Sequence, residues 1–299
     1  MIKDSFKALG SSARALFRNW TGLALLNALY AALLVSLYIF FATGVASAWQ
    51  LTLSAATALA APLIFFLLHT AIAHFALGDA PLGPLARRTL RDFLKVVLFS
   101  LPLITLAVGI VYLLGKFQSY LPKPDDAAPH TFTHATLEPR PEPLHWQDTL
   151  VSTLWLLLLG VLLPLLAAHL WLSTARDGLL PTLKKIHRVA ARAFATQSIL
   201  IYAVGLFVFA LIPYFTLYTR TPVSNGWAEL FLFATRLALA FIFTLWGWTI
   251  TLGALARTTP PLNAVVETTP ATGAPPVADA PPVVEAAPVT ESEAQLQQT

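Results

Sequence analysis

The chain has 299 residues, of which 57% are hydrophobic and only 11% are charged, and this composition excludes an ordinary soluble domain. It has no cysteine, which excludes disulfides and thiolate metal sites. The formal charge of +4 is unevenly distributed, because 19 basic and 10 acidic residues remain when the stretch after Arg257 is set aside. These bases fall in three segments bounded by apolar runs, which favours a membrane surface over nucleic acid as their partner.

The first predicted element is a basic amphipathic helix over residues 2–20. A helix of this kind lies in the headgroup plane, with its apolar face toward hydrocarbon and its bases against lipid phosphates. The apolar stripe comprises Ile2, Phe6, Leu9, Ala13, Leu16 and Trp20, and the basic stripe comprises Lys3, Lys7, Arg14 and Arg18.

Six apolar runs are each long enough to cross the hydrocarbon core, which is about 30 Å thick. Every backbone polar group in lipid must be paired within its own segment, so we expect each run to be a helix. The predicted fold is therefore an all-α integral membrane domain over residues 1–257. The predicted spans are 21–41, 51–77, 96–114, 151–172, 198–217 and 230–255.

Two more basic amphipathic helices are predicted, over residues 82–95 and 179–196, each just before a span. They align without a gap at an offset of 97 residues and predict, with the first helix, a threefold repeat. The alternative is chance, because any cytoplasmic loop accumulates Lys and Arg. The aligned positions are Pro84, Arg87, Arg88, Arg91 and Lys95 in one copy and Pro181, Lys184, Lys185, Arg188 and Arg192 in the other.

The distribution of Lys and Arg predicts the orientation. With the N-terminus inside, 14 of these residues lie on the inner side of the spans and 4 on the outer side. The positive-inside rule then places both termini in the cytoplasm and the protein in a bacterial inner membrane. The residues expected to contact anionic lipid are Arg87, Arg88, Arg91, Lys95, Lys184, Lys185, Arg188 and Arg192.

Two segments outside the spans are rich in proline. Residues 116–148 form a predicted external loop that contains His130, His134 and His145. On a helix the four-residue spacing of His130 and His134 would place these two side by side, as zinc ligands often are. The prolines around them argue against a helix and favour a solvated loop with incidental histidines. Residues 258–299 are predicted to form a disordered cytoplasmic tail.

Polar residues inside the spans are the candidates for chemistry, because each is costly in hydrocarbon. Arg236, with Glu229 seven residues earlier, is either an anion or headgroup site or a structural Arg that reaches the outer interface or pairs between helices. We favour the structural interpretation. The remaining candidates are Asn27, His69, His74 and His169.

These histidines predict either a polar site or side chains that reach interfacial water. The sequence pairs no carboxylate with them and offers neither a nucleophile with its base nor a phosphate-binding glycine loop. We therefore expect no catalytic residue, metal or cofactor. Pro62 and Pro164, in the middles of two spans, should each kink the helix and free a carbonyl, as in transporters and in ordinary packed bundles.

The repeated unit of an interfacial basic helix followed by apolar helices resembles bacterial membrane proteins of this architecture. They include the membrane domain attached to some glycerophosphodiester phosphodiesterases. The resemblance implies an accessory or membrane-organising role and carries no catalytic residue to this chain.

Our leading hypothesis is a non-enzymatic protein whose basic helices contact anionic lipid and which scaffolds or regulates a partner. The alternative is a transporter or lipid-moving protein with a site near Arg236, and an intramembrane enzyme comes third.

Overall fold

The computed structural model describes residues 2–44, 46–78, 81–120, 146–219 and 225–262, and every regular element within these ranges is helical. Six helical segments are long and apolar enough to cross a membrane, which confirms the predicted all-α multi-pass class. The α-helices are α1 (Ile2–Arg18), α2 (Trp20–Ala42), α3 (Ala48–Leu77), α4 (Leu82–Tyr120), α5 (Trp146–Trp155), α6 (Leu163–Asp177), α7 (Leu179–Lys184), α8 (Ile186–Ala193), α9 (Thr196–Leu206), α10 (Ile212–Tyr218) and α11 (Gly226–Thr258). Two π-helical segments, π1 (Leu156–Leu162) and π2 (Phe207–Leu211), join α5 to α6 and α9 to α10.

Short polar residues set several of the helix ends. The Asn19 side chain accepts a hydrogen bond from Gly22 N at 3.0 Å and so separates α1 from α2. Ser47 and Gln50 form a reciprocal capping box at the start of α3. Gly178 ends α6 with a φ of 86°, a backbone region that favours glycine. The span boundaries therefore rest on local chemistry as well as on hydropathy.

The C-terminal half of α11 packs deeply in the bundle. Its residues from Gly247 to Ala256 are largely buried, on all sides of the helix rather than on one stripe. Small residues let its neighbours come close, since a Cβ added at Gly205 of α9 would lie 2.1 Å from Thr251 Oγ1. On the other side of α11, a Cβ added at Gly253 would lie 3.1 Å from Ser12 of α1.

Helix α1 presents three faces to different surroundings. Small side chains, Ser5, Ala8 and Ser12, are buried toward the bundle. Ile2 and Phe6 of the predicted apolar stripe are exposed, as are the four bases of α1. Of that stripe, Leu16 is buried and Leu9 packs partly against the core, whereas Ile2, Phe6 and Trp20 are exposed and free to face hydrocarbon.

The other two basic segments differ from the predicted single helices. Helix α4 runs without a break over 39 residues, or about 58 Å, so no helix end separates 82–95 from the span that follows. No glycine or capping residue interrupts α4 at the junction between Lys95 and Val96. The segment 179–196 is instead split at Lys185, whose φ of −114° and ψ of 26° are not helical. The three segments thus join their spans in three different ways, and the threefold repeat stays a prediction.

Pro164 produces the irregularity that the sequence predicted for the fourth span. Proline has no N–H to donate to the carbonyl of Gly160, four residues earlier. The segment π1, which contains Gly160, lies just before Pro164. The Tyr202 hydroxyl donates to Gly160 O at 2.8 Å and so satisfies the freed carbonyl. Pro213 likewise follows π2 directly, whereas Pro62 and Pro102 lie in continuous α-helix.

The segments rich in Lys and Arg meet at one end of the bundle, which we call the basic end. It comprises α1, the α3–α4 junction, the segment from Arg176 to α8, and the last turns of α11. Of the 16 described Lys and Arg residues, 14 belong to it, and Lys116 and Arg236 do not. The greater part of the predicted external loop, with His130, His134 and His145, and most of the predicted tail lie outside the described residues.

Candidate functional site

A buried carboxylate lies at the basic end, where α3 ends and α4 begins. The Asp92 side chain faces the bundle and is 5% exposed. Its Oδ2 is 3.2 Å from His74 Nε2 and 3.4 Å from Arg91 Nη2, and its Oδ1 accepts a hydrogen bond from Lys95 Nζ at 2.5 Å. The expectation that no carboxylate accompanies the intramembrane histidines is therefore wrong for His74. Asp92 was missed because it stands among four bases in a segment interpreted as a cationic face.

A cationic cavity of about 460 Å³ opens beside this cluster. Arg88 and Arg91 of α4, Arg176 of α6 and His74 of α3 supply its polar lining. Within the part of the chain that the structure describes, Arg88 pairs with no carboxylate, and Asp92 is already shared among Arg91, Lys95 and His74. The cavity therefore offers more guanidinium donors than acceptors, an arrangement suited to a phosphate or carboxylate ligand.

Arg176 also holds the end of α11. Its guanidinium donates to Ala256 O at 2.7 Å and to Thr259 O. The last carbonyls of a helix have no partner within the helix and carry partial negative charge, so a cation is favourable there. A guanidinium has five N–H donors and these bonds use two of them, which leaves donors for a ligand in the cavity.

Two of the residues expected to contact lipid also bind the chain beyond α11. Arg192 Nη1 donates to Pro260 O at 2.8 Å, and Lys185 Nζ donates to Leu262 O at 3.4 Å. Asp177 joins the same contact by accepting from Leu262 N at 3.4 Å. Lys185 and Arg192 therefore each hold a backbone carbonyl, and their predicted contact with anionic lipid stays a prediction.

The other predicted lipid-contacting bases divide into two groups. Arg91 and Lys95 take part in the Asp92 cluster. The rest are exposed, namely Arg87, Arg88, Lys184 and Arg188, and the first two border a second depression of about 530 Å³ with Gly83 and Pro84. Exposed bases at this end remain candidates for headgroup contact.

The structure disperses the other intramembrane polar candidates. Asn27 Nδ2 donates to Leu23 O of its own helix at 2.9 Å. His69 is bonded through Nδ1 to Phe65 O at 2.8 Å and packs against Trp171, with ring centroids 4.5 Å apart. His169 is 1% exposed, and its Nε2 has no hydrogen-bond partner in the described structure. Only His74 belongs to the cationic cavity, so the predicted cluster of histidines does not form.

Arg236 and Glu229 lie far along α11 from the basic end. Glu229 is exposed and Arg236 is half-buried. Neither borders the cationic cavity or the two apolar cavities between the spans. Among the described residues, no group of three or more His, Cys, Asp or Glu side chains is placed to hold a metal ion.

Comparison of the chain with protein-family models, with curated proteins and with solved structures found no match.

Proposed function

We propose that this chain is a non-enzymatic, multi-pass protein of a bacterial inner membrane whose basic end faces the cytoplasm and binds anionic lipid headgroups, and that it scaffolds or regulates a partner there. The observation that carries the proposal is the gathering of 14 described Lys and Arg residues at one end of a bundle of six apolar spans. Such a concentration of bases beside hydrocarbon is attracted to anionic lipid by about 1 kcal/mol per base. The resemblance to accessory membrane domains agrees with this role.

Exposed apolar side chains beside these bases support the proposal. Leu90 and Leu94 of α4 are 67% and 71% exposed, close to Arg87, Arg88 and Arg91. On α7 and α8, Leu183 and Ile186 are exposed beside Lys184 and Arg188. Apolar and basic side chains that share an outer surface favour the boundary between acyl chains and headgroups over bulk water.

The test removes exposed bases that line none of the cavities described here. The chain with Lys7, Arg14, Lys184 and Arg188 all changed to Gln should retain fewer molecules of phosphatidylglycerol in native mass spectrometry, because four surface charges are lost. Retention of zwitterionic phosphatidylcholine should not change. Exchanging Lys for Arg and Arg for Lys at the same four positions preserves the charge and is the matched control. Equal phosphatidylglycerol retention by both variants would remove the proposal.

Transport through a site near Arg236 is the alternative and has less support. It calls for a polar route to the middle of the membrane. The two cavities between the spans are lined almost wholly by carbon, and Arg236 borders neither.

A further inference from the structure

The cationic cavity is built from polar side chains near the ends of three helices. Arg88 and Arg91 are three residues apart on α4 and therefore share one face of that helix. Arg176 comes from the last turn of α6, and His74 comes from the last turn of α3. The cavity volume of about 460 Å³ lies within the range of small-molecule sites, which is about 300–1,000 Å³. An organic phosphate therefore fits as well as an inorganic ion.

The charges around this cavity do not cancel. Among the residues that the structure describes, no Asp or Glu side chain lines it. Two carboxylates adjoin the lining residues, namely Asp92 beside Arg91 and Asp177 next to Arg176 in the chain. They stand against four cations, so these described groups have a formal charge of +2 with histidine counted as neutral. The four cations are Arg88, Arg91, Lys95 and Arg176.

Two of the guanidinium groups have donors available for a ligand. Arg88 pairs with no carboxylate within the described ranges. Arg176 uses two donors to hold the end of α11, and these bonds fix its position before a ligand arrives. A side chain that is already fixed loses less conformational entropy on binding. The planar guanidinium fork binds phosphate oxygens in pairs, so phosphate is the anion that this cavity suits best.

From the excess charge and the available donors we propose that the cationic cavity is a selective site for a phosphate monoester, whose terminal phosphate carries a charge of about −1.5 to −2 at pH 7. Arg88, Arg91 and Arg176 bind its oxygens and so join α4 to α6. The monoester is either a lipid such as phosphatidic acid or a soluble ester such as glycerol phosphate. The inference rests on the proposed function in taking the basic end as the surface that meets phosphate, and it adds one selective site to that surface.

The experiment uses the full chain in detergent and native mass spectrometry. The probes are phosphatidic acid and phosphatidylglycerol of equal chain length, together with glycerol phosphate. Phosphatidylglycerol is a phosphodiester and has the lower charge. We expect the unchanged protein to bind phosphatidic acid about threefold more tightly than phosphatidylglycerol, which is the scale of one partly exposed ion pair.

Arg88→Gln and Arg87→Gln are the matched pair of variants. The two arginines are neighbours on α4 and both are exposed, but Arg87 borders only the second depression and Arg88 borders the cationic cavity as well. We expect Arg88→Gln to bind phosphatidic acid about tenfold more weakly, a change on the scale of hydrogen bonds to charged groups. Arg87→Gln should bind it nearly as well as the unchanged protein. Equal thermal unfolding midpoints show that both variants fold.

Glycerol phosphate distinguishes the two sources of the phosphate. If it competes with phosphatidic acid and is also lost in Arg88→Gln, the cavity recognises the phosphate itself and takes a soluble ester. If it does not compete, the ligand of the cavity is the lipid. Equal loss of phosphatidic acid in both arginine variants would overturn the inference, as would equal affinity of the unchanged protein for phosphatidic acid and phosphatidylglycerol.

The cavity site and the proposed function fail in different ways. If Arg87→Gln and Arg88→Gln weaken phosphatidic acid equally and the fourfold surface variant loses phosphatidylglycerol, the bases act only as a general surface. The proposed function then stands and the cavity site is removed. If Arg88→Gln alone weakens phosphatidic acid and the fourfold surface variant retains phosphatidylglycerol normally, the cavity site stands and the surface proposal is removed.

Discussion

At the scale of single residues, the spans are stabilised by side chains that complete backbone hydrogen bonds interrupted by proline or by a helix end. Tyr202 donates to Gly160 O, whose usual donor is replaced by Pro164. Arg176 donates to the last carbonyls of α11. In hydrocarbon no water can replace the Tyr202 hydroxyl as donor to the Gly160 carbonyl.

Changing Tyr202 to Phe should destabilise the bundle by about 1–3 kcal/mol, because the Gly160 carbonyl is then left without a donor. The measurement is the thermal unfolding midpoint in detergent, with Tyr214→Phe as the control because the Tyr214 ring is 54% exposed.

Repeating the change in a Pro164→Ala background tests the cause, since an alanine at this position restores the missing N–H. The cost of Tyr202→Phe should shrink there. An undiminished cost would show that Tyr202 acts through packing alone.

At the scale of elements, α11 is held by contacts too close to admit a larger residue. Its side chain Thr251 lies against Gly205 of α9, and its backbone at Gly253 lies against Ser12 of α1. Each of these pairs brings two helices together through small groups. Lipid chains are as apolar as the helices, so helices in a membrane associate through such close packing rather than through the hydrophobic effect.

The change Gly205→Ala should therefore destabilise the protein by about 1–3 kcal/mol through overpacking, since the new Cβ would lie 2.1 Å from Thr251 Oγ1. Gly109→Ala in α4 is the matched control, because no atom lies within 4 Å of its added Cβ. Thermal unfolding in detergent measures both. Thr251→Ala should recover part of the loss, and equal midpoints for the two glycine variants would contradict the proposed close packing.

The sequence predicted the six apolar helices, because an uncharged run of about 20 residues has few alternatives. It did not predict which faces meet. In α1 the small residues Ser5, Ala8 and Ser12 are buried together with Leu16. Ile2, Phe6 and Trp20 of the apolar stripe are exposed, because lipid competes with the core for large apolar side chains.

The candidate site was predicted only in part. Arg88, Arg91 and His74 were singled out, but Asp92 and Arg176 were not. Their roles depend on α3, α4 and α6 meeting, and on the end of α11 lying against α6. Contacts between residues 80 positions apart leave no local pattern in one sequence.

At the scale of the whole molecule, the described basic segments lie at one end of the bundle. A single orientation in the membrane therefore places all of them on the same side, as the positive-inside rule requires. Lys116, at the far end of α4, and Lys184, at the basic end, are both exposed and should therefore lie on opposite sides of the membrane.

Because the chain has no cysteine, single changes report this orientation directly. In sealed cells a membrane-impermeant maleimide should label Lys116→Cys and should not label Lys184→Cys until the cells are opened. Both variants replace an exposed lysine and serve as controls for each other. Labelling of Lys184→Cys in intact cells would reverse the orientation and exclude a cytoplasmic basic end.

The central position of α11 sets the order in which the bundle can be completed. A ribosome makes the chain from its N-terminus, so five spans, including the α3 and α9 helices that pack on α11, enter the membrane before it. Until then the surfaces around Ser12 and Gly205 have no occupant, and the carbonyls bound by Arg176 and Arg192 do not yet exist. Completion of the packing around α11 is therefore a late event, and translation that stops short of α11 leaves Ser12 of α1 and Gly205 of α9 without the residues that they pack against.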